Sequence, residues 1–247
     1  MNQSTTLPPL RKWILFHAAA DFLFLQNRSY PRSAALELVG NRYAMPLFER
    51  QLLLRGVFSR QKALARLVKK AKGSAWRESL LVVDGHNVQI TIESHIQGRV
   101  LLKANDGAMR DLAGLSSRFR VTEASVFALD MIFRFLREFR PREVLFLFDA
   151  PMSHSGELAA MYRERLKGAG FHGDARAVPV PEREFPYADC VVASSDHAVL
   201  DAGSTWIDLA ARIIEQSVLP EIAADFSQIL FARSAAKHVF EDGGPFW

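Results

Sequence analysis

Three short apolar runs in this chain each end in an aspartate, and that pattern confines the fold to a small set. Ser79-Leu80-Leu81-Val82-Val83 leads into Asp84, Val144-Leu145-Phe146-Leu147-Phe148 into Asp149, and Cys190-Val191-Val192-Ala193-Ser194-Ser195 into Asp196. Runs of this length and composition read as buried strands. Helical patterns separate them. Thr122 can cap a helix carrying Val126, Leu129, Ile132, Phe133 and Leu136 on its inner face, and Pro141 stops it. A second helix is predicted over 156–168, short strands over 175–180 and 205–207, and a last helix from Asp208. Strands alternating with helices predict an α/β fold with a mostly parallel sheet. Ligands of such sheets bind in the crevice outside the carboxyl ends of the strands. Three strands ending in Asp therefore aim three carboxylates at one small volume. Such a cluster repels itself unless a cation neutralises it, and oxygen-only ligands suit Mg²⁺ or Mn²⁺. The expectation is a metal site for phosphate chemistry.

The first part of the chain reads differently. Leu10, Trp13, Ile14, Phe24 and Leu25 follow Pro8-Pro9. Pro31 suits the start of a second helix with Ala34, Ala35, Leu38 and Val39. Pro46 opens a third over 47–54, and Ser59 can cap a fourth over 61–72. Gly73-Ser74 marks a boundary, so the expected organisation is a helical domain over 1–75 and an α/β domain over 76–247. Charge divides at nearly the same place. Residues 1–77 hold 14 Lys and Arg against 3 Asp and Glu, whereas the remainder carries a net charge of −7. A basic module beside an acidic one suggests a polyanion-binding part next to a cation-binding part. The basic run 60–72, with Arg60, Lys62, Arg66, Lys69, Lys70 and Lys72, is the candidate surface. Packing of the two halves through complementary charge explains the same asymmetry.

No apolar run reaches the ~20 residues that span a bilayer. Residues 13–25 come nearest, but His17 and Asp21 interrupt them, as in an amphipathic helix. The single Cys190 excludes an internal disulfide and any Cys-based zinc site. These features together point to a cytoplasmic protein without a membrane segment, of undefined oligomeric state.

Around the three acids stand further candidates. In Asp84-Gly85-His86-Asn87, glycine permits a tight turn close to a ligand, and Asn87 can face the same crevice. Ser153, Ser155 and Gly156 lie between the Asp149 strand end and a helix start, where hydroxyls and free N–H groups can hold a phosphate oxygen. Plain capping by Ser153 or Ser155 is the equal alternative. His86, His154 and His197 each lie near an acid, but one-step neighbours on a strand face opposite ways, so none is assigned catalysis.

The motifs Val-Val-Asp84-Gly-His-Asn87, Phe-Asp149-Ala and Ser194-Ser195-Asp196 resemble those of the NYN branch of the PIN-like nucleases. More broadly, residues 28–210 are similar to an uncharacterised prokaryotic family that joins a small helical domain to a PIN-like domain. The resemblance implies a three-layer α/β/α domain and Mg²⁺- or Mn²⁺-dependent cleavage of RNA. Asp84, Asp149 and Asp196 match the family's catalytic metal acids, and Asn87 matches the Asn of its first motif; Asn87 and Ser195 are candidates for contacting the substrate. Asp106 and Asp111 are candidates for a further metal ligand, with Asp189 or Asp201 as alternatives. The acidic pair expected on a helix ahead of the last strand is not recognisable. A catalytically silent nucleic-acid-binding protein and a phosphohydrolase of small phosphate esters remain as other readings. A haloacid-dehalogenase phosphatase is disfavoured, because His86 stands where a second Asp would be.

Overall fold

A computed structural model describes residues 7–74, 76–112, 120–217 and 222–231. Four helices come first: α1 (Pro9–Asn27), α2 (Arg32–Arg42), α3 (Leu47–Gly56) and α4 (Arg60–Lys69). Prolines 8, 31 and 46 stand at the starts of the first three. The Ser59 hydroxyl accepts the Lys62 N–H at the fourth, so the punctuation read from sequence is the punctuation used.

The α/β part holds β1 (Leu80–Asp84), α5 (Gly85–Ile96), α6 (Glu123–Phe139), β4 (Glu143–Asp149), α7 (Ser155–Ala169), β5 (Gly173–Val178), α8 (Pro181–Glu184), β6 (Cys190–Ala193), α9 (His197–Ala202), β7 (Trp206–Ile207) and α10 (Leu209–Glu215). Its five strands form a parallel sheet in the order β5-β4-β1-β6-β7. Alternate residues of β1 face opposite layers, as a pleated strand requires. Leu81 and Val83 join the large core built with α5, α6, α7 and α10. Val82 joins a smaller cluster with Phe185, Cys190, Val192 and Val199, where α8 and α9 cover the other face. Burial there pushes the Cys190 thiol up to about 11, so it is an inert packing group.

A second, small sheet was not expected. It joins β2 (Leu101–Lys103), β3 (Met109–Asp111) and β8 (Ile222–Asp225) in the order β3-β2-β8. Its buried residues Leu102 and Ala224, with Val100 and Phe226 flanking the strands, share one cluster with Phe22, Leu52, Leu53 and Phe58 of the helical part. The helices therefore rest on this sheet and have no separate core. Among the described residues, no helix is long and apolar enough to cross a membrane.

Charge sets how α4 docks. Arg66 is fully buried and pairs with Asp106 at 2.8 Å and Asp201 at 2.6 Å. The Lys69 ammonium donates to the Asp201 carbonyl, Lys70 to the Gly107 carbonyl, and Arg60 to the Leu230 carbonyl. The basic run 60–72 thus serves mainly to hold the two halves together, which corrects its assignment as the nucleic-acid surface. Arg60, Arg66, Lys69 and Lys70 have each been drawn to an acceptor across the junction, whereas Lys62 and Lys72 remain exposed.

Candidate functional site

The chain moves from β1 outward to β4 and β5, then returns to the other side of β1 for β6 and β7. The order therefore reverses between β1 and β6, and the crevice at such a reversal is where open α/β sheets bind ligands. Asp84 and Asp196 flank it. In the strand register Asp84 pairs with Leu147 and Val83 with Ala193. Asp149 consequently stands two residues farther along on one neighbouring strand, and Asp196 a similar step beyond on the other. All three lie at the same end of the sheet.

Two of the three also start helices. The Asp84 Oδ1 accepts the Asn87 N–H at 3.4 Å, and its Oδ2 accepts the Ser194 hydroxyl at 2.8 Å. The Asp196 Oδ1 accepts the N–H groups of Ala198 at 2.8 Å and Val199 at 3.3 Å. Capping alone would favour Asp at these positions. Asp149 differs: among the described residues, no donor is bonded to its carboxylate, while its N–H donates to His86 Nδ1 at 3.0 Å. His86 is buried and its pKa falls to about 4, so it is a neutral acceptor that fixes the end of β4. Gly85 is needed for space rather than for a turn. A Cβ there would sit 2.4 Å from the Phe148 ring.

The charges at this end are in conflict. Burial raises the Asp84 carboxyl to about 7, and the negative charges of Asp196 and Glu182 push the same way. Asp149 is raised by burial and again by Glu182. Burial acts upward on Asp196 too, but His197 and the two capping N–H groups outweigh it and hold it at about 2. Glu182 was not singled out from sequence. It lies on α8, ahead of β6.

The other candidates separate clearly. Asp106 is fully buried between Arg66 and Arg110. Burial alone would raise its carboxyl, but the two guanidiniums hold it below the usual range, so it is a structural counter-ion and not a metal ligand. Asp201 is held by Arg66, and Asp189 precedes β6, at the end of that strand away from Asp196. Asp111 accepts the Thr91 hydroxyl at 3.2 Å and borders a cleft that also reaches Asp196. The Asn87 Oδ1 accepts both the N–H (2.8 Å) and the hydroxyl (3.0 Å) of Ser195, which clamps the β6 loop to α5. Ser155 is buried and donates to the Ala150 carbonyl at 3.3 Å. Neither Ser153 nor Ser155 caps α7, because His154 takes that position in a left-handed conformation. Ser153 and Gly156 are exposed at the same turn.

Residues 74–212 match the family described as Domain of unknown function (DUF5616). The chain belongs to this family. Residues 14–69 match a second one, described as Protein of unknown function (DUF434), so the family junction coincides with the step from helices to α/β sheet. An uncharacterised protein of Methanocaldococcus jannaschii is 30% identical over 202 residues, covering 80% of this chain and 95% of that protein. No solved structure matches the chain.

The donor set at the strand ends of this family member is entirely oxygen, which suits Mg²⁺ or Mn²⁺. Among the described residues, no three Asp, Glu, His or Cys side chains are arranged to hold an ion together. Mg²⁺ commonly keeps several waters and takes one or two carboxylates plus substrate phosphate. The site fits an ion held in that manner and does not fit an all-protein cage.

Proposed function

We propose that this protein is a metal-dependent endoribonuclease of PIN-like type, acting in the cytoplasm. One observation carries the reading: Asp84, Asp149 and Asp196 stand at the carboxyl ends of three adjacent parallel strands, with Glu182 adding its charge to the first two. A bound Mg²⁺ or Mn²⁺ would lower the pKa of a water and offset charge developing on the phosphate. The chain's own residues supply the placement. Asp149 offers a carboxylate with no competing donor among the described residues. Ser194 and the Asn87 N–H orient Asp84, and the Asn87–Ser195 clamp keeps Asp196 facing the reversal point. No covalent intermediate on the protein is required.

A catalytically silent nucleic-acid-binding protein is the second reading. The lack of a three-residue ion grip among the described residues favours it. Asp149→Asn separates the two. The change is nearly isosteric and removes a charge, and a lost Lewis-acid contribution of several kcal/mol costs at least a hundredfold in rate. The wild type should cleave single-stranded RNA in Mn²⁺ and the variant should not. Wild type that binds RNA yet cleaves neither RNA nor small phosphate esters would leave the silent binder. Turnover of the esters alone would instead make it a phosphohydrolase.

A further inference from the structure

The helical part meets the α/β part in a cleft of about 370 Å³, walled by Arg32 and Arg55 on one side and by Asn87, Asp196 and His197 on the other. It lies at the β1–β6 reversal point and borders the carboxylate end of the sheet. Arg32 is the unusual group in it. Its guanidinium donates to the Gln26 side-chain oxygen at 2.9 Å and to the Leu54 carbonyl, both neutral. Among the described residues, no carboxylate stands within ion-pair distance of it. Arg32, Arg66 and Arg110 all lie against the Phe58 ring, at 4.3, 4.3 and 4.9 Å from its centroid. Asp106 and Asp201 neutralise the last two, which leaves Arg32 as the surplus cation. Burial and then repulsion by Arg66 and Arg110 pull its pKa down to about 10, against the weaker attraction of Asp106. Arg55 donates to the Asp111 carbonyl at 2.9 Å but stands 3.9 Å from that residue's carboxylate, too far for a hydrogen bond.

We infer that this cleft holds one nucleotide unit by its phosphate, gripped by Arg32 and Arg55, with the sugar and base along Leu54 and Ile90. A guanidinium fork matches phosphate geometry. A volume of about 370 Å³ is near the lower limit of ligand clefts and admits a single unit, not a duplex. The next phosphate of a strand would then fall toward Asp196 and Asp84. The inference rests on and deepens the nuclease reading by locating where a phosphate of the single strand is held, while binding in the cleft requires no cleavage. It also moves the basic part's contribution from α4 to α2 and α3.

The test uses the full chain in EDTA with a fluorescein-labelled oligouridine RNA, read by anisotropy and by competition with uridine monophosphate. Arg32→Met and Arg55→Met should each weaken binding at least tenfold and reduce the log–log salt slope by about 0.7. Lys62→Met and Lys72→Met should stay within twofold. Competition by the mononucleotide at equal affinity would assign the cleft to free nucleotides, and competition by oligomers alone would assign it to a strand; both support the cleft. Arg32 also bridges Gln26 and Leu54, so its variant can lose stability. Wild type cross-linked to a 4-thiouridine oligomer covers that case, with adducts expected within 54–58, 87–90 or 195–197. Adducts confined to 60–72, or unchanged binding in both folded arginine variants, overturn the proposal. Binding in the cleft without cleavage in Mn²⁺ removes the nuclease reading alone. Normal kcat/KM in both arginine variants removes the cleft alone.

Discussion

The carboxylate cluster should cost the folded protein stability when no cation is present, and Asp84→Asn measures how much. The folded chain holds the Asp84 proton up to a pKa of about 7, against an ordinary 3.8. Between those values the folded state carries a proton that the unfolded chain has released. Stability therefore falls as pH rises across that window, and the loss is complete above it. A gap of about three units corresponds to roughly 4 kcal/mol. Asn cannot ionise and escapes this loss. It gives up part of the hydrogen bonding to Ser194 and Asn87, worth about 1 kcal/mol. The expected outcome in EDTA is a gain of roughly 2–3 kcal/mol at pH 8 that shrinks as pH falls and becomes a small loss at about pH 4. For a chain of this size that is about 4–12 °C in Tm at pH 8, read by circular dichroism melts. Mn²⁺ should then raise the Tm of the wild type at pH 8 more than that of the variant. Equal destabilisation at both pH values would refute the reasoning, because Asp84 would then be an ordinary helix cap with no electrostatic conflict around it.

Two other substitutions probe how the site is held. Arg66→Met leaves the buried Asp106 with Arg110 alone and strands Asp201, so urea unfolding should show a loss of about 3–5 kcal/mol. A loss under 1 kcal/mol would mean that the two halves do not depend on this ion pair. Gly85→Ala places a methyl against the Phe148 ring and should cost about 1–3 kcal/mol. Adding Phe148→Leu should return part of it, and a strictly additive double variant would contradict the packing argument.

The central sheet was legible because its strands are buried on both faces, which writes them into the sequence as continuous apolar runs. The acids were legible because they end those runs. The second sheet was not, since β2 and β3 have three residues each, too few to establish a period. Helix α5 was hidden for a different reason: Asp84-Gly85-His86-Asn87 has turn composition, and only the Phe148 ring against Gly85 reveals why glycine opens a helix there. Glu182 sits on a four-residue helix among prolines, with no periodicity to mark it.

Charge was the most misleading signal. The surplus of Lys and Arg in residues 1–77 is visible in composition, but composition does not record which cations are cancelled inside the fold. Arg66 and Arg32 look alike in sequence, each an arginine on a short helix with a second arginine. Folding buries Arg66 between two aspartates from distant segments and sets Arg32 beside it on the same aromatic ring, with no such partner among the described residues. A cation whose partner lies 40 or 135 positions away is internal glue. One without a carboxylate partner among the described residues, half-buried and facing a cleft, is placed to meet a ligand. That difference arises only from packing, and it moves the ligand-facing side of the helical part from the run richest in lysine to a pair of arginines on its neighbours.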